Sequence, residues 1–288
     1  MHIFAGIRRG DRFSPNHIGN DSAIFNLTAQ HLKDKGYLIN DYAENELSES
    51  TQERFIFSMA RDVETVKMLQ KLEDNGAIAI NSGYGVENCY RSNMTTLLDN
   101  AGILIPKSKI VDITTADTTV FEELGGQNIW VKRGDFHAIH KEDVTFVRNA
   151  KEGVEILREY ALRGIATAVI CSHIVGDLVK FYGVLDTDFF YWFYPTNIQH
   201  SKFGHEEING KPKNLPFSIA TLRQEAERSA RILKIAIYGG DAIITSEGSI
   251  YLIDVNDWPS FAPCREEAAV AIANHIHNQI TKTDRKVG

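Results

Sequence analysis

Residues 238–261 read YGGDAIITSEGSIYLIDVNDWPSF. Two short apolar, β-branched runs flank the turn formers SEGS at the centre of this stretch, a pattern typical of a β-hairpin. Folding the chain about that turn pairs Thr245 with Ile250 and, counting outward one residue at a time, pairs Asp241 with Asp254. The stretch therefore predicts two carboxylates side by side on one face of a hairpin.

The predicted pair of acids indicates a metal site. Carboxylates in directly opposite positions on an antiparallel pair repel each other. Asn256 follows Asp254 by two residues and shares its face, because side chains alternate along a strand. Two carboxylates and an amide oxygen suit a hard divalent cation such as Mg²⁺ or Mn²⁺. A solvated hairpin tip is the alternative, but three oxygen donors on one face, beside apolar strand cores, favour the metal site.

This stretch resembles the metal-binding end of the ATP-grasp superfamily, where an acid on one strand precedes Glu-x-Asn on the next. By that resemblance Asp241 is the first acid, and Asp254 and Asn256 stand for the Glu and the Asn. The shorter Asp side chain departs from the family pattern and leaves open whether one or two metal ions bind. The resemblance covers nearly the whole chain and points to the glutathione-synthetase-like branch, which includes ribosomal-protein glutamate ligases.

Composition and charge exclude several function classes. The 288 residues are 43% hydrophobic and 24% charged, enough for one large or two to three small domains. A net charge of −7 and a pI of about 5.8 argue against a nucleic-acid-binding surface. No apolar run is long enough to span a bilayer, and no signal region is recognised. The three cysteines are far apart and lack metal spacing, so we expect a reduced, cytoplasmic protein. From the charge and the apolar runs we expect no nucleic-acid or membrane partner.

Alternating strand and helix patterns over residues 1–84 predict a small parallel βαβ sheet. The resemblance extends this to an α/β ATP-grasp fold whose two lobes enclose a nucleotide cleft. It implies an N-terminal domain at residues 1–85, a linker helix with the small lobe at 86–170, and a large lobe with the hairpin at 171–288. Within residues 166–182 we expect two strands joined by a Gly-Asp turn.

Three arginines of the N-terminal domain lie at predicted strand ends, where open α/β sheets bind ligands. Arg8, Arg9 and Arg61 could therefore grip a substrate carboxylate or phosphate through their planar forks, or they could be solvated on the surface. Asp21 is placed to cap a helix that runs to Lys35.

The resemblance assigns phosphate contacts to two basic residues. Arg91 stands where the family usually has a Lys at the start of a helix, and Arg also holds phosphate; the alternative is an exposed helix residue. Lys132 lies near the end of a strand, and in the family such a Lys reaches the α- and β-phosphates. The following loop keeps only Gly134 of several family glycines, so His137 either shares the phosphate contact or is an ordinary loop residue. A second strand is expected at residues 138–148.

A later segment resembles the family's hinge, where backbone groups between the lobes bond the adenine edge. Asp177 is placed to accept hydrogen bonds from ribose hydroxyls, or it is a simple turn residue. Lys180 could approach the phosphates or a substrate anion. The polar loop at residues 197–213 is a good place for substrate specificity, with a disordered loop as the equal alternative. The residues expected to contact adenine are Cys171, Ser172, His173 and Ile174.

By this resemblance the chemistry is ATP- and Mg²⁺-dependent ligation that releases ADP. A carboxylate attacks the γ-phosphate, an acyl phosphate forms, and an amine or thiol displaces phosphate. Lys132, Arg91 and Lys180 would be the catalytic cations, since phosphoryl transfer needs mainly positioning and charge neutralisation. The expected partners are ATP and a small carboxylate with an amine, or a peptide, and a homo-oligomer is left open. Two other classes stay open: a small-molecule kinase of the same fold, and a nucleotide-binding module without catalysis.

Overall fold

The structure is a computed structural model that describes residues 2–13, 18–195 and 208–287. Within these ranges the strands form three four-stranded sheets. Together with the helices they make an α/β fold, as the sequence predicts. Most of the polar loop at residues 197–213, which the sequence marks for substrate specificity, lies outside the described residues. No helix in the described part of the chain is long and apolar enough to cross a membrane.

The N-terminal sheet is parallel throughout and confirms the predicted βαβ pattern. Its strands are β1 (Ile3–Ile7), β2 (Leu38–Tyr42), β3 (Phe55–Ser58) and β4 (Ile78–Ile80), in the order β2-β1-β3-β4. The helices of this part are α1 (Ile18–Asp34) and α2 (Val63–Asp74). Because parallel strands end at one edge of a sheet, the loops after β1 and β3 come together there.

The predicted cap of α1 is wrong. Asp21 lies inside the first turn of the helix, where its carboxylate is buried 3.3 Å from Nη1 of Arg9. The carboxylate of Asp21 therefore pairs with Arg9, which lies outside the helix, and does not cap the helix N-terminus as the local pattern predicts. The second helix does have a side-chain cap, since Asp62 accepts hydrogen bonds from the N–H groups of Glu64 and Thr65.

The middle sheet is antiparallel and is reached through two short helices, α3 (Gly83–Asn88) and α4 (Arg91–Asn100). Its strands are β5 (Ser108–Asp112), β6 (Gln127–Arg133), β7 (Val144–Asn149) and β8 (Thr167–Ser172), in the order β5-β8-β6-β7. Helices α5 (Thr119–Glu122) and α6 (Ala150–Leu162) cover one face, with Phe121 and Leu157 in the core beneath them.

The strand expected at residues 138–148 begins later than predicted, at Val144. The buried carboxylate of Asp143 accepts hydrogen bonds from the N–H groups of Ile139 and His140, at 2.8 and 2.9 Å, and pairs with Arg163. Because their N–H groups bond this side chain, Ile139 and His140 belong to a loop and do not pair with β6.

The C-terminal sheet carries the hairpin and is also antiparallel. Its strands are β9 (Asp177–Val184), β10 (Phe190–Phe193), β11 (Ile237–Ile244) and β12 (Ile250–Asp257), in the order β10-β9-β11-β12. Helices α7 (Ile219–Leu233) and α8 (Arg265–Val287) complete this part of the chain. One apolar cluster contains Phe57 of β3, Ile237 of β11 and Ile276 of α8, so the N-terminal and C-terminal sheets share a core.

The two strands expected within residues 166–182 are both present, as β8 and β9, but they do not pair with each other. Strands β8 and β9 belong to different sheets, and residues 173–176 cross between them. The reason is that β8 already has β5 on one side and β6 on the other, which leaves no free edge for β9. The crossing is consistent with a hinge between two lobes, while the domain boundaries at residues 85 and 170 stay predictions.

Candidate active site

The main cavity lies where the three sheets meet, and it has a volume of about 260 Å³. That value is close to the lower end of the roughly 300–1,000 Å³ that ligand pockets span. Its walls come from the loops after β1 and β3, from β6 and β8 of the middle sheet, and from β9, β11 and β12. The predicted site residues that line it are Arg91, Lys132, His137, Cys171, Ser172, His173, Ile174, Lys180, Asp241, Asp254 and Asn256.

The hairpin places Asp241 opposite Asp254, as predicted, but not through the predicted register. Nearer the turn Ile244 pairs with Ile250 instead of Tyr251, and a β-bulge at Ile253 then restores the pairing of the two acids. The bulge inserts one extra residue into β12 and re-aims the side chains beside it. Consequently Ile253 and Asp254 both line the cavity.

Each acid of the pair has a cation beside it. Nη1 of Arg91 lies 3.4 Å from Oδ1 of Asp254, and Nζ of Lys180 lies 3.1 Å from Oδ1 of Asp241. Burial alone would raise the pKa of Asp254, but the charges of Arg91 and Lys132 lower it to about 2. Asp254 is therefore ionised at neutral pH, as a metal ligand must be.

Lys132 links the middle sheet to the hairpin. It lies in β6, and its Nζ donates a hydrogen bond to the backbone oxygen of Ile253 at 3.2 Å. Burial lowers the pKa of its ammonium group, against the opposing influence of Asp254 and Asp241. The bulge carbonyl thus holds a cation of one sheet directly beside the acids of another.

Arg91 is the first residue of α4, as the sequence predicts, and its side chain is buried. Its Nη2 donates to Oδ2 of Asp254 at 3.4 Å, and its buried Nε has no hydrogen-bond partner among the described residues. A buried donor without an acceptor is costly, which makes it a good contact for an anionic ligand.

The donor set fits a hard cation in its chemistry. No group of three or more His, Cys, Asp or Glu residues in the described ranges could hold a metal ion. Two carboxylates and the amide oxygen of Asn256 form a smaller set, which suits Mg²⁺ when phosphates and water complete the coordination. In the structure Arg91 pairs with Asp254, and Lys180 pairs with Asp241. Each of these cations could instead bind a phosphate once a metal ion neutralises the carboxylates.

The hinge residues line the cavity, but part of their backbone is already used. The N–H of Ser172 donates to Lys107 O, and the N–H of His173 donates to Asn128 O, both at 3.0 Å. Trp130 lies beside them and donates to Nδ1 of His173 at 3.2 Å. An adenine edge could therefore bond only the remaining polar groups of residues 171–174, fewer than the sequence suggests.

Asp177 does not have the position predicted for a ribose contact. It is buried, it is not among the residues that line the cavity, and it accepts hydrogen bonds from the N–H groups of Lys213 and Leu215 at 2.7 and 2.8 Å. The carboxylate anchors the segment after residue 208 instead. Asn209 of that segment lines the cavity and donates to the carbonyls of Ile174 and Gly176; it belongs to the polar loop that the sequence marks for specificity, although it was not singled out there.

The loop after β6 is held by aromatic packing. The buried ring of Phe136 lies 5.8 Å from that of Phe13 and 4.9 Å from that of Tyr90. A Cβ on Gly134 would come within 2.5 Å of Ser92 Oγ, so this glycine serves close packing against α4. The loop is therefore fixed to the linker and to the N-terminal part, which fits its lack of glycines.

His137 of this loop reaches a residue that sequence reasoning missed. Its Nε2 lies 3.3 Å from Oδ1 of Asp257, the last residue of β12. Asp257 is 1% exposed and also pairs with Arg61 and Arg9. Strand alternation places it on the opposite face from Asn256, and a charged residue on a buried face requires partners. Strand alternation was thus the sequence signal that could have identified Asp257 as a buried, paired carboxylate.

The three N-terminal arginines separate into two kinds. Arg8 forms an exposed pair with Asp41 at 2.6 Å. Arg9 and Arg61 are buried and line the cavity, which excludes surface solvation for both.

No family model and no curated protein matches the sequence. Solved structures are similar over nearly the whole chain. The D-alanine–D-alanine ligase from Bacillus anthracis has a TM-score of 0.68 and 14% identity, with 100% of each chain covered. A RimK domain ATP-grasp protein from Sphaerobacter thermophilus has a TM-score of 0.69 and 14% identity, with 95% of this chain and 99% of that chain covered. The chain has the ATP-grasp fold.

A third ATP-grasp structure, the ligase PsnB complexed with a minimal precursor, has a TM-score of 0.58 and 12% identity. It covers 96% of this chain and 98% of its own. The Bacillus anthracis ligase is also solved in complex with ATP, with the same TM-score of 0.68. Identities of 12–14% establish the ATP-grasp fold, and the chemistry has to be argued from the cavity.

Proposed function

We propose that the protein is an ATP- and Mg²⁺-dependent, ADP-forming ligase that joins a carboxylate to an amine, or to a thiol, through an acyl phosphate. One observation carries the proposal. Lys132 of the middle sheet bonds the backbone oxygen of Ile253, next to Asp254, and Arg91 of the linker pairs with Asp254. Both lie in a cavity that the hinge residues 171–174 also line. The similar solved structures named as ligases support it at the level of the fold.

Under this proposal each part of the cavity has one task. Asp241, Asp254 and Asn256 would hold Mg²⁺, which neutralises phosphate charge and orients the transferred group. The polar groups of residues 171–174 that are not used in the sheet would bond the adenine edge. The residues that would contact the phosphates are Lys132, Arg91, Lys180 and His137.

The chain's own cations are arranged to receive a phosphate. Lys180 and Arg91 each have a carboxylate partner in the structure, so they are positioned before any ligand arrives. Lys132 is held by a backbone carbonyl and is buried, which strengthens its attraction for negative charge. Closure of the lobes over this cavity would exclude water from an acyl phosphate.

The test is an ADP-release screen with amino acids and small carboxylates, followed by mass spectrometry of each hit. A new amide or thioester with acceptor-dependent ADP release is the expected result. A stable phosphoester would replace the proposal with a kinase, which shares the nucleotide site. ATP binding without acceptor-dependent ADP release would indicate a nucleotide-binding module.

A further inference from the structure

Beyond the acid pair, the cavity has a second charged region on the side away from the hinge. The strand register of the C-terminal sheet shows the order of the two regions along the strands, starting from the hinge. Asp257 follows Asp254 by three residues, roughly 10 Å along the strand. The successive rows across β9, β11 and β12 are Asp177/Ile244/Ile250 beside the hinge, Lys180/Asp241/Asp254, and Gly183/Tyr238/Asp257.

Two guanidinium groups are fixed beside this last row. Arg9 donates through Nε to Met59 O at 3.2 Å and through Nη2 to Trp258 O at 2.8 Å. Arg61 donates through Nη2 to Asp257 O at 3.0 Å. Backbone acceptors hold both side chains in one orientation, which is the preorganisation that a recognition site requires.

Glu44 fixes the two loops that carry these arginines. Its buried carboxylate accepts hydrogen bonds from the N–H of Gly10 at 2.8 Å, from the N–H of Asp62 at 3.1 Å and from the N–H of Arg61. The loop after β1 and the loop after β3 are thereby tied to one side chain. The placement of Arg9 and Arg61 is built into the N-terminal sheet.

Arg61 keeps hydrogen-bonding capacity toward the cavity, whereas each side-chain nitrogen of Arg9 already has an acceptor. Among the described residues Nη1 of Arg61 has no hydrogen-bond acceptor, and both arginines line the cavity. Asp21 and Asp257 balance the two positive charges, which accounts for their burial. The region therefore offers a directed guanidinium N–H donor beside a second guanidinium group, and guanidinium groups match carboxylates well.

We propose that Arg61 and Arg9 bind a second, non-reacting carboxylate on a substrate of the ligase, so that its substrates include an amino acid or a dicarboxylate. This rests on the proposed function, because Asp257, the partner of both arginines, lies one row beyond the acids assigned to the metal and phosphates. The reacting group would lie between the two regions, and the spare carboxylate would hold it there.

The test compares matched substrate pairs: glycine with glycinamide as the amine, and succinate with succinamic acid as the carboxylate. ADP release by the wild-type protein should favour one carboxylate-bearing member at least tenfold in kcat/KM. Arg61→Lys, which keeps the charge but loses the fork, should raise the KM of that member at least tenfold. The KM for ATP should stay within twofold, and the amide member should be unaffected.

Arg8→Gln is the matched control, because Arg8 is adjacent in the sequence but is exposed, paired with Asp41 and absent from the cavity lining. It should leave all of these constants unchanged. Equal preference for acid and amide in the wild type, or an unchanged preference in Arg61→Lys, would overturn the proposal.

A binding measurement covers the case in which no pair is turned over, and Arg9→Lys covers a misfolded Arg61 variant. With ADP and Mg²⁺ at saturation, glycine or succinate should raise Tm in the wild type, and its amide should not. The shift should be lost in Arg61→Lys or Arg9→Lys. No shift in the wild type, or an undiminished shift in the variants, overturns the site, whereas a failed ligase assignment would show in the ADP-release products.

Discussion

Asp254 connects three parts of the molecule at the scale of a single residue. It faces Asp241 across the hairpin, pairs with Arg91 of the linker, and adjoins the carbonyl that holds Lys132. The carboxylate is ionised because these cations offset its burial. Three predictions belong to this residue and to its neighbour Lys132.

The first concerns the metal. Asp254→Asn should abolish most of the extra thermal stabilisation that Mg²⁺–ATP gives over ATP alone, since a ligand that binds the folded state raises Tm in proportion to its affinity. Differential scanning fluorimetry with and without Mg²⁺ measures it. Asp99→Asn, an exposed change on α4, is the control and should behave as wild type. An undiminished Mg²⁺-dependent shift in Asp254→Asn would remove this residue from the metal site.

The second concerns pH. The pKa of Asp254 is depressed from an ordinary 3.8 to about 2, so the ionised form stabilises the folded state above about pH 4. That contribution should be lost as the pH falls from 4 to 2. Urea unfolding across this range should show a smaller loss of stability in Asp254→Asn than in wild type. Parallel curves would contradict the depressed pKa.

The third concerns the phosphates. Lys132→Ala should weaken ATP binding by about 1.5–3 kcal/mol, the usual contribution of a charge-assisted hydrogen bond, and should weaken adenosine much less. Isothermal titration with both ligands measures the difference. Arg91→Ala should change binding in the same direction but less, and Lys67→Ala, an exposed change on α2, should change neither. Equal weakening of ATP and adenosine would count against the phosphate contact.

At the scale of elements, the bulge in β12 is the feature that shapes the site. It lets Leu252 and Val255 remain in the apolar core while Ile253 and Asp254 both face the cavity. It also presents the carbonyl of Ile253 to Lys132. A regular strand would have sent one of the two cavity residues into the core.

Deleting Ile253 tests the bulge. Leu252 and Val255 would keep their faces, and Asp254 would still oppose Asp241, so the variant should fold with an unchanged dependence of unfolding free energy on urea. ATP affinity should fall, because Lys132 loses its acceptor and the cavity loses an apolar wall. Unchanged ATP binding in a folded deletion variant would show that the bulge does not contribute to the site.

At the scale of the whole molecule, Asp257 joins three parts. Its buried carboxylate meets Arg9 and Arg61 of the N-terminal part and His137 of the loop after β6, while its backbone belongs to β12. Removing one member of a buried ion-pair network leaves uncompensated charge, which typically costs 3–5 kcal/mol.

Asp257→Asn should therefore lower the free energy of unfolding by about 3–5 kcal/mol, measured by urea denaturation at neutral pH. Asp41→Asn is the matched control, because it breaks the exposed pair with Arg8 and should cost at most about 1 kcal/mol. Similar losses in the two variants would mean that Asp257 does not hold the parts together.

Local patterns sufficed for the α/β class, the parallel N-terminal sheet, and the opposed pair Asp241 and Asp254, whereas the resemblance to a family placed Arg91 at the start of a helix. Strand alternation, turn chemistry and helix signals act over a few residues, so they can be recognised in a sequence. The hairpin also shows their limit, because the acids meet only through a shifted turn register and a compensating bulge.

Long-range packing determined the rest. Arg61 and Asp257 are 196 residues apart in the sequence, and Asp177 bonds the backbone of Lys213 and Leu215 rather than a ligand. Burial requires each of these charges to find a partner, and which partner it finds depends on how the sheets are assembled. The sequence therefore indicates that a charged cavity can form, whereas the way the three sheets pack together determines which charged side chains line it.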